Sequence, residues 1–370
     1  MACLAIAGLG ALGALPADAK RDTWSSAHRA AVNKHRSLVT YRAMQSHYYI
    51  ARRELYRGNP YATAWTYGQA VGATFSVASM PGLRAGFRKD VRARLRALEL
   101  YADRHSPPPT GYLSKVAPPH GPGGDLYNDD NEWYGIELTR ANHVFRMPTL
   151  SKARSVFALV ASTWSIRPFA RCAGGIPWAP KVNGDRNTVS NAPAAELGVQ
   201  LYFRTGDRGY VDQAKRMYEW VRTCMLAPNG LYWDHISPRG VIDTNQWTYN
   251  QGTMIGAGVM LYQATGDRGY LDQAVFTANA ALRLYSWHDL DQQPDYFDAI
   301  YIRNLLLLAS TTRDRRYRDF AEQFAAREWR RDRDHRSGLF QGHRGQEQLL
   351  DQAGMVQIYA MLASRPRTYY

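Results

Sequence analysis

Cysteine is scarce in this chain, with three residues in 370, which excludes a small scaffold stapled by several disulfides. Long apolar runs are equally rare. Beyond the first fifteen residues no stretch reaches the roughly 18 uninterrupted apolar positions that a membrane-spanning helix requires. No linker rich in Pro, Gly or Ser divides the sequence, and the most punctuated stretch, Ser106 to Gly124, leads straight into a pair of aspartates. Such a loop beside acidic residues is read as part of a site rather than a boundary, so residues 20–370 are expected to form one domain. A phosphate-cradling loop, a Ser/His/Asp constellation and metal-ligand spacing are all missing, and neither a cofactor nor a metal is expected. Asp129, Asp130 and Glu132 lie close together in sequence, but the oxygen cage of a calcium loop is absent.

Positive charge is abundant. The formal net charge is +14, with arginine greatly outnumbering lysine, and a surface of that sign attracts anionic partners. Nucleic acid is a poor fit, because the densest charged run, Arg313 to Arg336, mixes Asp and Glu with Arg as a solvated helix face does. An anionic cell-envelope surface suits this charge better. The N-terminus, Met1 to Leu15, is small and apolar, and Ala17-Asp18-Ala19 offers a cleavage pattern before Lys20, so residues 1–19 are read as a secretory signal. The pattern lacks a basic residue ahead of its apolar run, which leaves open a start farther upstream or an uncleaved anchor. Export would place Cys172 and Cys224 in an oxidising compartment, where they are expected to pair; two buried thiols are the alternative.

The chain repeats itself. Thr205-Gly206-Asp207-Arg208-Gly209-Tyr210 returns sixty positions later as Thr265-Gly266-Asp267-Arg268-Gly269-Tyr270, and more loosely from Thr312. In each copy Asp207, Asp267 or Asp314 can cap a helix whose apolar residues recur at i, i+4, i+7 and i+8. Between these amphipathic helices lie runs apolar almost all round, which is how a helix packed on every side reads. Buried helices are expected to start near Ala64, Asn131, Asn191, Thr248, Asp298 and Gln352. Outer helices are expected over about 27–55, 83–104, 149–164, 208–226, 268–286 and 315–330. Six of each, alternating, predict an all-α protein, an (α/α)6 barrel, with an open solenoid as the alternative that the apolar inner set argues against.

In such a barrel every outer-to-inner connection reaches one rim, and the unusual residues fall there. Tyr127-Asn128-Asp129-Asp130-Asn131-Glu132-Trp133 puts two carboxyls at a helix entrance, where free N–H groups and the helix dipole favour an anion. Capping needs only one acid. A second beside it costs repulsion unless one carboxyl is held protonated. Capping and catalysis both remain open on spacing alone.

Asp129-Asp130-Asn131-Glu132-Trp133 resembles the Asp-Asp-x-x-Trp motif of glycoside hydrolase family 76, the endo-α-1,6-mannanases. Gly174-Gly175-Ile176-Pro177-Trp178 with Asn187 to Pro193, and Asn229 to His235 leading to Trp247 to Gly252, are similar to that family's later blocks in the same order. The resemblance covers approximately Ala30 to Leu362 and implies the same barrel. It further implies that Asp129 is a nucleophile and Asp130 an acid/base. The expected activity is a secreted endo-α-1,6-mannosidase hydrolysing a mannan backbone, such as the core of a cell-envelope lipomannan or lipoarabinomannan. A cell-wall transglycosylase of the same fold and a non-catalytic glycan-binding protein are the alternatives.

Glycosidic cleavage requires one carboxylic acid and one carboxylate, roughly 5 to 5.5 Å apart for retention and roughly 6.5 to 9.5 Å for inversion. Adjacent short Asp side chains reach the smaller separation more easily, which favours retention by double displacement. Trp133, Trp178, Trp233, Trp247 and Tyr249 are candidate sugar platforms, and Asn131, Asn191, Asp234, Asn245 and Asn250 candidate hydroxyl binders. Core packing and helix capping compete with each of these assignments. The partner expected is a polysaccharide or lipoglycan met by a monomer, with peripheral contact to an anionic envelope surface.

Overall fold

A computed structural model describes residues 26–166, 171–180, 184–342, 345, 348–365 and 368–370. The expected leader, residues 1–19, lies outside them. Thirteen α-helices among the described residues carry the fold: α1 Ser26–Tyr48, α2 Ala64–Ser79, α3 Arg88–Leu98, α4 Asn128–Phe145, α5 Leu150–Ser162, α6 Thr188–Thr205, α7 Gly209–Met225, α8 Thr248–Thr265, α9 Arg268–Leu284, α10 Trp287–Asp291, α11 Asp295–Thr312, α12 Arg315–Arg331 and α13 Leu349–Leu362.

Six of them form the inner ring. Helices α2, α4, α6, α8, α11 and α13 each pack on the next, and α13 returns to α2, so the ring is closed. Their apolar, all-round composition follows from that position: α8 is buried continuously from Thr248 to Leu261. Helices α1, α3, α5, α7, α9 and α12 form the outer ring, each burying one face on the inner one. In α7 the buried residues Val211, Ala214, Met217, Tyr218, Val221 and Met225 recur at helical spacing, the pattern of a helix covered on one side only. The short α10 is additional to the twelve and is held by a reciprocal capping box between Ser286 and Asp289.

The repeated sequence builds the repeated turn. Inner helix α6 ends on Gly206 at φ 76° and α8 on Gly266 at φ 77°, a left-handed conformation that a residue without Cβ adopts freely. The next aspartate then caps the outer helix, Asp207 accepting from Gly209 N and Asp267 from Gly269 N, both at 2.9 Å. Asp314 caps α12 through Arg316 N at 3.0 Å.

At the opposite rim the long connections must be fixed to helix starts. Four inner helices do this with one device at their fourth residue. Asn131 accepts from Tyr112 N and donates to Tyr112 O at 2.7 and 3.0 Å, and Asn191 treats Ile176 alike at 2.8 and 3.1 Å. Gln251 clasps Tyr232 at 2.7 and 2.9 Å, and Gln352 clasps Phe340 at 2.8 and 2.7 Å. Each primary amide thus copies one rung of a β-ladder and satisfies both polar groups of a buried loop residue. A small antiparallel sheet joins two of the connections: β3 Arg186–Asn187 pairs with β4 His235–Ile236, which pairs with β5 Ile242–Asp243. A two-stranded hairpin, β1 Tyr49–Ile50 with β2 Leu55–Tyr56, follows α1.

Candidate active site

Asp129 and Asp130 are the second and third residues of α4 and lie half-buried at its free N-terminus. The helix start is anchored to the loop carrying Trp178: Asn128 N donates to Trp178 O at 2.9 Å, and Asn128 Nδ2 to Pro177 O at 2.8 Å. As a result the Trp178 indole N–H reaches Asp129 Oδ2 at 3.2 Å, while Asp129 Oδ1 has no hydrogen-bond partner among the described residues. Burial raises the Asp129 pKa, the backbone N–H groups of Asp130 and Asp129 and the Trp178 donor counter it, and the balance stands at about 6. Asp130 is pushed well above the usual carboxylate range by burial and by the charge of Asp129. Both carboxyls are thus pushed up, Asp130 the more strongly because it faces the charge of Asp129, so that the pair disfavours double ionisation.

Trp178 is 46% exposed and lies against Tyr127 with ring centroids 4.6 Å apart. Trp233 and Trp247 are half-buried on the same rim, and Trp247 meets Phe297 edge-on at 5.8 Å. Tyr249 lies at 4.0 Å from Phe297. Its hydroxyl and the Asn250 amide both donate to Asp234 Oδ1, at 3.2 and 3.0 Å, and the Asp234 charge helps to raise the Asp129 pKa. Asn245 is exposed, with its backbone N–H on Asp243 Oδ1 at 2.9 Å.

Three expected binding residues are corrected. Asn131 and Asn191 are fully buried and their amides are occupied by the loop clasps described above. Trp133 is 4% exposed, packed between Trp65 and the guanidinium of Arg303 inside the ring. Sequence spacing cannot tell which face of a helix turns to the groove, and all three turn inward or to their own loop. The Cys172–Cys224 pairing is also not formed in the structure. The two are free thiols, close enough that a hydrogen bond donated by the Cys224 thiol to Cys172 adds to burial in raising Cys224 to about 12.

Trp65, Tyr296 and Phe297 are half-buried on this rim and were not anticipated. Tyr296 links Trp65, at 6.0 Å, to Phe297, at 4.8 Å, extending the aromatic wall from α2 to α11. The echo of Trp65-Thr66-Tyr67 in Trp247-Thr248-Tyr249 was the signal available for Trp65. His235, with no visible partner in sequence, is surrounded by carboxylates: Nδ1 meets Asp234 at 2.9 Å and Asp243 at 3.9 Å, and Nε2 meets Asp185 at 3.6 Å. Asp234, His235 and Asp243 are the one group with metal-ligand proximity among the described residues. The His235 Nδ1 that faces them already lies at hydrogen-bond distance, 2.9 Å, from Asp234 Oδ2.

A closed helical barrel whose rim joins two adjacent carboxyls to a wall of aromatic rings has the build of a carbohydrate-cleaving enzyme. The family model of glycosyl hydrolase family 76 matches residues 34–294, and the chain belongs to that family. A mannan endo-1,6-alpha-mannosidase, DCW1 of Saccharomyces cerevisiae, is 34% identical over 160 residues, which cover 38% of this chain and 34% of that protein. DCW1 of Candida glabrata is 32% identical over 156 residues with the same coverage; the match spans about a third of the length of either relative. Among solved structures, the GH76 alpha-mannanase BT2949 of Bacteroides thetaiotaomicron superposes with a TM-score of 0.81 at 20% identity, over 92% of this chain and 98% of that one. An inactive variant of the alpha-1,6-mannanase GH76A of Salegentibacter sp. HEL1_6, in complex with alpha-1,6-mannotetrose, gives 0.75 at 22% identity over 90% and 98%. These likenesses carry the (α/α)6 barrel fold.

Proposed function

We propose that this chain is an endo-acting α-1,6-mannosidase that cleaves a mannan backbone with retention. Asp129 attacks the anomeric carbon while Asp130 protonates the departing oxygen; Asp130 then deprotonates the water that releases the glycosyl-enzyme. The observation that carries this reading is the placement of two adjacent carboxyls at the free N-terminus of α4, with Asp129 Oδ2 held by the Trp178 indole and Oδ1 without a hydrogen-bond partner among the described residues. Burial and the charge of Asp129 push Asp130 up, the direction that a proton donor requires. Trp178, Trp233, Trp247 and Tyr249 supply ring faces to the sugars. Asp234 and Asn245 supply hydrogen bonds, and Asp234 is held in place by the Tyr249 hydroxyl and by the amide of the fully buried Asn250.

The linkage rests on family membership and on the relatives named above. We place the enzyme outside the cytoplasm, on the strength of its N-terminal leader pattern, and no helix among the described residues is long and apolar enough to cross a membrane. The net charge of +14 favours a substrate held in an anionic envelope, such as lipomannan or lipoarabinomannan. Incubation with linear α-1,6-mannan and with lipoarabinomannan, followed by sizing of the products, tests the proposal. Short α-1,6-manno-oligosaccharides are expected from both; intact polymer after prolonged incubation with either would refute the corresponding substrate.

A further inference from the structure

At the mouth opposite the carboxyl pair, the last thirds of α4, α6, α8 and α11 surround a cavity of about 310 Å³. The Glu196–Arg303 ion pair, buried halfway along α6 and α11 with its groups 3.2 Å apart, lies deeper in the barrel. One turn below Glu196, Gln200 lines this cavity. It is 3% exposed, and neither its amide nitrogen nor its amide oxygen has a hydrogen-bond partner among the described residues. A buried amide with both ends unmatched costs stability unless something completes it.

The surroundings define what would complete it. Among the described residues no Asp or Glu side chain lines the cavity; Tyr370 does, and the one Lys or Arg is Arg204, bonded to His143 Nδ1 at 2.6 Å. Inner helices end here, so their last carbonyls turn toward this mouth as acceptors, and the negative ends of the helix dipoles disfavour an anion. Hydroxyl donors suit such a rim. A primary amide offers one donor and one acceptor side by side, the geometry that matches two vicinal hydroxyls. Phe203, 39% exposed, supplies an aromatic face at the entrance, while Met260 and Leu307 supply apolar contact for the C–H surface of a ring.

We propose that this cavity is a second carbohydrate site, holding a single neutral pyranose through the Gln200 amide, the Arg204 guanidinium and the Phe203 ring, without cleaving it. It gives the barrel two sugar-binding mouths, one catalytic and one retentive. A polymer-degrading enzyme so equipped stays on the glycan between cuts. The inference is independent of the role given to Asp129 and Asp130.

Equilibrium dialysis of the full chain against methyl α-D-mannopyranoside, with inorganic phosphate as a competitor, tests it. The expected result is a bound equivalent that is lost, or weakened at least tenfold, in both Gln200→Leu and Phe203→Ala, and that phosphate does not displace. Turnover of α-1,6-mannan oligosaccharides should be unchanged in both variants. Gln200→Leu removes an unmatched buried amide, so its Tm should equal or exceed that of the parent; Phe203 is exposed enough that its truncation leaves the fold intact. The same bound sugar in the parent and both variants, or no binding by the parent, overturns the proposal. Displacement by phosphate overturns it in favour of an anion site. Inactivity on mannan with retention of the Gln200-dependent equivalent would instead count against the catalytic reading alone.

Discussion

The indole N–H of Trp178 donates to Oδ2 of Asp129 at 3.2 Å, so one side chain both stabilises the carboxylate and offers an exposed ring beside it. Phenylalanine at position 178 separates the two roles. Trp178→Phe keeps a platform and removes the donor, and a hydrogen bond to a charged group contributes about 1.5–3 kcal/mol. Because the indole is half exposed, the lower end applies. We expect kcat/KM to fall about tenfold and the acidic limb of its pH profile to move upward. An unchanged limb with a raised KM alone would mean that the indole acts only as a platform.

The pH profile itself follows from the pair. The active form has Asp129 ionised and Asp130 protonated, so kcat/KM should rise with pH through about 6 and fall again where Asp130 loses its proton. Measurement between pH 4 and pH 9 on a short manno-oligosaccharide should give a bell. A flat profile across pH 5 to 7 would show that Asp129 does not titrate there.

Stability should run the other way. Burial raises the pKa of Glu132, Asp295 and Asp298 well above the carboxylate range, and that of Glu196 to about 7. Unfolded carboxyls titrate near 4, so between about pH 4 and 7 the folded state binds more protons than the unfolded one. The stability these groups contribute is fully present below the unfolded pKa and is lost as pH rises through the folded values. Tm should be higher at pH 5.5 than at pH 8 by several degrees; the reverse order would mean that these acids are ionised in the fold.

The amide clasps give a structural prediction. Gln352→Ala leaves both polar groups of the buried Phe340 without partners, at about 1–3 kcal/mol for each. Denaturant unfolding should therefore show a loss of about 2–6 kcal/mol, while kcat per folded molecule is retained. Loss below about 0.5 kcal/mol would show that the loop is held by other contacts.

Much of the ring was legible because burial leaves a pattern. The inner helix starts expected at Ala64 and Thr248 are those observed, but Asn131, Asn191, Asp298 and Gln352 were each expected three residues late. In α4 the reason is physical: its first turn lies on the rim and carries Asn128, Asp129 and Asp130, so the apolar pattern begins only where the helix enters the ring, whereas α11 and α13 open on Asp295-Tyr296-Phe297 and Leu349-Leu350-Asp351, which read as the end of the preceding connection. The outer helix expected over 27–55 stops at Tyr48, where the chain turns into the Tyr49–Tyr56 hairpin, and residues 83–104 are helical only over Arg88–Leu98 with a further short turn at Glu99–Tyr101. The placement of Asp129 and Asp130 at a rim was readable from the helix entrance. The inward direction of Trp133 and the loop clasps of Asn131 and Asn191 were not, since one helix face differs from another only through tertiary neighbours.

The most direct measurement compares Asp129→Asn with Asp130→Asn on an α-mannoside bearing an activated leaving group, with and without azide. Both variants should keep the parent's circular dichroism and lose nearly all activity on mannan. Asp130→Asn should still form the glycosyl-enzyme and recover turnover with azide, because the missing base is needed only to activate water. Asp129→Asn should remain inactive with azide present. Rescue of Asp129→Asn instead would exchange the two roles, and near-normal mannan cleavage by both variants would contradict a catalytic pair and leave Asp129 and Asp130 as the acidic cap of α4.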